Sequence, residues 1–90
     1  MRTMDDVERA RELIEGMELP DWVLRVRVRP YIDSEDKLAL QVISVIPPEF
    51  RPDLRQWAGR SNAIYDLLVS EGITLYPYMR FVGLGDPDAR

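Results

Sequence analysis

The sequence predicts an α+β two-layer sandwich, a three-stranded sheet with both helices on one face, in the order α-β-β-α-β. Three observations predict it. Apolar residues recur at helical spacing near the N-terminus and again between residues 54 and 68. Three other segments are strand-like, the clearest being VLRVRVRPY, Val23 to Tyr31, with strict alternation. Gly16 with Pro20, the DSED run, PPEFRP and Gly72 break the chain between these segments. Ninety residues fit one small domain, predicted over 1–85, with 86–90 as a frayed C-terminal tail.

The first helix carries Met4, Val7, Ala10, Ile14 and Met17 as an apolar stripe. Thr3 is placed to cap it, with Asp6 three residues on imitating a capping box. Asp5 and Arg9 are spaced to pair on the exposed side, and Gly16 ends the helix. Trp22 to Ile32 reads as the first strand, the DSED run from Asp33 to Asp36 as a polar turn, and Lys37 to Ile46 as the second strand of a hairpin. Leu38, Leu40, Val42 and Ile46 share one face of the second strand, interrupted by Ser44. Apolar residues on both faces near its end point to a central strand. PPEFRP breaks the chain, Pro52 suits a first helical turn, and Asp53 suits the positive end of the helix dipole. Leu54, Trp57, Ile64 and Leu68 form the second stripe, and Gly72 ends it. Leu75 to Val82 is the third strand, where Pro77 marks a sheet edge. The predicted core is Val7, Ile14, Leu24, Val26, Val28, Leu40, Val42, Trp57, Ile64, Leu68, Met79 and Phe81.

Composition removes whole classes of chemistry. There is no cysteine, so disulfides and thiolate catalysis are excluded, and there is no histidine, the usual general base and metal ligand. The four serines sit in no nucleophile motif, and GLG at 83–85 precedes no helix that could cradle a phosphate. The DSED turn lacks the ligand spacing of a calcium loop. The expectation is therefore a non-catalytic chain with no metal and no cofactor. No apolar run reaches the roughly 20 residues of a membrane span, and the charged N-terminus is unlike a signal peptide, so the expected location is the cytoplasm.

The charge is unevenly placed. The net is −4, yet residues 22–31 hold three arginines and no acid, whereas residues 1–21 hold seven acids and three arginines. Of twelve basic residues only Lys37 is lysine. If Val26 and Val28 face the helices, Arg25, Arg27, Arg29 and Tyr31 line the opposite sheet face, together with Lys37 and Gln41. If Met79 and Phe81 face the helices, Tyr76, Tyr78 and Arg80 join them. Such a face fits a protein partner or a second copy, since tyrosine and arginine dominate binding hot spots. It also fits RNA or single-stranded nucleic acid, whose bases stack on aromatic rings, or a solvated coat of cross-strand pairs. The acidic overall balance favours the protein reading.

The element order resembles the type II KH and BolA-like arrangements, without the GxxG loop of the first or any histidine for the second. The closing stretch LYPYMRFVG, Leu75 to Gly83, resembles a (W/Y)-P-Y-x-R-F strand that ends many small bacterial proteins, some encoded beside toxin-like HEPN-domain partners. That resemblance implies a partner in a toxin–antitoxin pair. The chain lacks the G-S and D-x-D motifs of the nucleotidyltransferases that neutralise HEPN proteins, so that activity is not implied.

Overall fold

The computed structural model describes residues 2–89, with the side chains of residues 2–4 outside the description. The elements are helix α1 (Arg2–Glu15), strands β1 (Arg25–Ile32) and β2 (Leu38–Ile46), helix α2 (Leu54–Ser70), strand β3 (Pro77–Gly83) and a 3₁₀ turn at Pro87–Ala89. The sheet order is β1-β2-β3, with β1 antiparallel and β3 parallel to the central β2. A parallel neighbour needs a crossover, and α2 supplies it. This is the expected α-β-β-α-β order, with β2 central and Pro77 on an edge strand.

Both helices lie on one face. Val7, Ala10 and Ile14 of α1 and Ile64 and Leu68 of α2 pack with Val28, Leu40 and Val42 of the sheet, joined by Ile73 and Leu75 from the loop after α2. These side chains repeat at the helical and strand periods, so burying one stripe per element closes the layer. Arg9 does not pair with Asp5; its guanidinium bonds the backbone oxygen (3.0 Å) and carboxylate (2.7 Å) of Glu71 instead. Glu71 caps the C-terminus of α2, so this contact ties the helices together.

Several local expectations shift. Helix α1 already includes Arg2, so Thr3 lies within it and is not its cap; the Thr3 and Met4 side chains fall outside the described residues. Asp53 is the N-cap of α2, in a capping box with Gln56, and Pro52 precedes the helix instead of opening it. Leu24 is 47% exposed and Trp57 43% exposed, so neither is core. Leu24 lies just before β1, whose ladder starts at Arg25, and it is Val23 that turns inward. Lys37 stands outside β2 and pairs with Glu35 in the turn.

Residues 86–89 are not frayed. Ala89 is 2% exposed and packs with Ile43, Val45 and Val82, a second small cluster on the face away from the helices. Its neighbour Asp88 pairs with Arg80 at 2.6 Å.

The hairpin turn stores a correctable strain. Asp33 Oδ1 accepts from the backbone N–H groups of Glu35 and Lys37, and Asp36 closes the turn at φ 61°. That left-handed conformation suits glycine. Asp36→Gly relieves a left-handed cost of roughly 1–2 kcal/mol against a loosening of the unfolded chain of roughly 0.4–1 kcal/mol, so a small net rise in stability is expected, read as a higher urea midpoint with an unchanged slope. A lower midpoint would contradict it.

Candidate functional site

Strand alternation and pairing register bring together all seven side chains singled out in the sequence. Across the face away from the helices the rows run Arg25–Val45–Val82, Arg27–Ile43–Arg80 and Arg29–Gln41–Tyr78, while Tyr31 lies opposite Ala39. Tyr76 enters just before β3, its carbonyl accepting from Leu40 N–H at 2.9 Å. Tyr78 is the hinge of an aromatic trio. Its ring meets Tyr31 at 5.3 Å and Tyr76 at 4.8 Å, both edge to face, the geometry aromatic quadrupoles prefer. All three rings are exposed.

The two ends of this face differ. At one end the tail covers it: Arg25 donates to the carbonyl of Ala89, and Arg80 is held by Asp88. Arg29 donates Nε to Gln41 at 2.9 Å. Arg27 has no hydrogen-bond or ion-pair partner among the described residues. The face therefore offers three tyrosines and one free guanidinium, not a continuous basic row. The hydrophobic signal for tail docking was present in the sequence as Ile43, Val45 and Val82 on the predicted open face, which exposure would have left wet.

Asp33 anchors the tyrosine end. Tyr78 donates its hydroxyl to Asp33 Oδ2 at 3.4 Å. The Lys37 backbone N–H is the main cause that holds the Asp33 carboxyl below its ordinary value; desolvation opposes it, and the Glu35 N–H and the Tyr78 hydroxyl add to it. Tyr78 is pushed up, first by desolvation and then by the Asp33 charge. A lowered Asp33 contributes stability that is present above its unfolded value and lost as pH falls through the folded one. A raised Tyr78 does the reverse: its contribution is present below the unfolded tyrosine value and lost as pH rises through the folded one. Phenolate titration followed at Tyr78 is expected to show ionisation above the ordinary tyrosine value, and Asp33→Asn to bring it partway back, because desolvation remains. A Tyr78 that ionises at the ordinary value would contradict this.

Helix α2 contributes features that sequence reasoning missed. Trp57, Ser61 and Tyr65 line a groove of about 540 Å³ with Tyr76, Tyr78 and Met79, so the aromatic surface continues around the β3 edge onto the helix layer. The signal was the spacing of 57, 61 and 65, which places them on one helical face beside the buried stripe. On the other side of α2, Arg60 is 4% exposed, and its Nε and Nη2 have no partner. Burial lowers its pKa by penalising the charge. It borders an open cleft with Arg55, Glu18 and Asp21.

Among the described residues no group of three or more acidic side chains is placed to hold a metal ion, and no helix is long and apolar enough to cross a membrane. No family model, no curated protein and no solved structure matches this chain.

Proposed function

We propose that this chain is a non-catalytic protein-interaction module that binds a partner protein or a second copy through the tyrosine end of its sheet face. The observation that carries this reading is the contact of Tyr31 and Tyr76 with Tyr78, on the same sheet face as the unpaired Arg27. Rigid, exposed aromatic rings deliver large contact area at little entropic cost, and a free guanidinium on the same face supplies directed hydrogen bonds. The edge-to-face packing fixes the rings before any partner arrives, which reduces the ordering cost of association.

Binding of single-stranded RNA to the same face is the less supported reading, because Arg25, Arg29 and Arg80 already have partners within the chain. Phosphate binding would weaken with salt at a log–log slope of about −0.7 per contact, and one free arginine leaves that slope shallow.

Replacing both anchors, Arg27→Ala with Tyr78→Ala, is expected to weaken association at least about tenfold, while the melting temperature measured at a dilution where both proteins are unassociated moves little. Neither residue is buried, so the fold does not depend on them. Sedimentation of the pure protein and a pull-down from native extract, each with the double variant alongside, make the check. A variant that keeps every association of the wild type would reduce the tyrosine–arginine face to a solvated coat.

A further inference from the structure

We infer that the free edge of β3 pairs with the same edge of a second copy, so that two chains share one continuous sheet. The inference rests on the interaction-module reading and names its partner as the chain itself.

The two outer strands of the sheet are finished differently. On β1, Val28 points its backbone groups away from β2, and helix α1 takes up both. Glu15 accepts from the Val28 N–H at 3.0 Å, and Arg11 donates Nε to the Val28 carbonyl at 3.1 Å. Two residues on, Pro30 has no N–H to offer. This edge is blocked at its middle, which is how proteins stop strands from adding to a sheet.

On β3 the phase is set by two bonds: Leu40 N–H to the Tyr76 carbonyl at 2.9 Å and Leu84 N–H to the Ile46 carbonyl at 2.8 Å. Even-numbered residues therefore turn their backbone groups toward β2, and Met79 and Phe81 turn theirs outward. No group among the described residues takes these up. Pro77 blunts only the start of the strand, and no helix side chain reaches across as Arg11 and Glu15 do on β1.

Three features select a second copy as the occupant. A two-fold axis through Met79, perpendicular to the sheet, sets the strands antiparallel and places Tyr78 opposite Arg80 of the second copy, twice over. Phenol and guanidinium are favourable cross-strand neighbours. The same axis places α2 beside α2 on the helix side. There Leu54, Trp57, Tyr65 and Val69 are exposed, an apolar row that a symmetric contact would cover on both chains at once. The groove between α2 and β3 receives side chains from the partner, and the Ser61 hydroxyl that borders it is buried without a partner.

Amide hydrogen exchange of the full chain over a concentration series, with sedimentation of the same samples, tests this. The amides of Met79 and Phe81 are expected to slow as the sedimenting mass doubles, whereas those of Tyr78 and Arg80, already bonded to β2, are slow throughout. Trp57→Lys with Tyr65→Lys, both on the exposed row, is expected to weaken the dimer at least tenfold, with melting temperatures compared at a dilution where both proteins are monomeric and the variant remains folded. A dimer whose Met79 and Phe81 amides stay fast would overturn the inference and leave the module reading standing. A monomer at every concentration would also overturn it, and protection of those amides only on adding a different protein would assign the edge to that protein.

Discussion

Val28→Asp is expected to leave the chain unfolded at room temperature, whereas Arg27→Asp, one residue earlier, is expected to leave it folded. Val28 is 3% exposed within the apolar cluster formed with Ile14, Leu40 and Val42, and the nearby Arg11 guanidinium is already held by the Val28 carbonyl and Glu8. Arg27 points to the opposite face and is exposed. An unpaired buried charge costs upward of about 4 kcal/mol, a large share of the roughly 5–15 kcal/mol that holds a domain together. Circular dichroism of the two variants checks it. A Val28→Asp chain with native stability would reverse the assigned faces of β1, and with them the location of the arginines.

Removal of residues 86–90 is expected to destabilise the domain by about 2–3 kcal/mol, on the basis of about 1.5–3 kcal/mol for each aliphatic side chain moved fully from interior to water. Ile43, Val45 and Val82 are all buried, and the tail is what covers this cluster, through Ala89. The Arg80–Asp88 pair is exposed and adds little by itself. Asp88→Ala is therefore expected to move the urea midpoint far less than the truncation does. Equal midpoints for the truncated and full chains would show that the 3₁₀ turn rests on the sheet without stabilising it.

The strand phases were legible in the sequence because alternation is a strong signal. Once Val26 and Val28 faced inward, Arg25, Arg27, Arg29 and Tyr31 had no other side to occupy. The pairing register then carried Tyr78 and Arg80 onto the same face. What alternation could not give was which arginines find partners. Asp88 lies only eight residues from Arg80, but Arg25 and Ala89 are sixty-four positions apart, and such a contact exists only after the chain has folded. The same limit hid the exposure of Trp57. Its spacing matches the buried stripe, yet α2 packs through Ile64 and Leu68, and Trp57 falls on the flank beside β3. Arg11 and Glu15 carried no sign of their task either, since an exposed arginine and glutamate on a helix usually face water. Their role over Val28 follows from α1 lying against β1.

Sedimentation over a concentration series, comparing the wild type with Arg27→Ala/Tyr78→Ala, tests most directly whether the tyrosine end of the sheet face is an association surface. The expected result is a wild-type mass that climbs from the 10.5 kDa of one chain toward twice that value, and a folded double variant that stays at one chain to markedly higher concentration. Superimposable curves for the two proteins would contradict it.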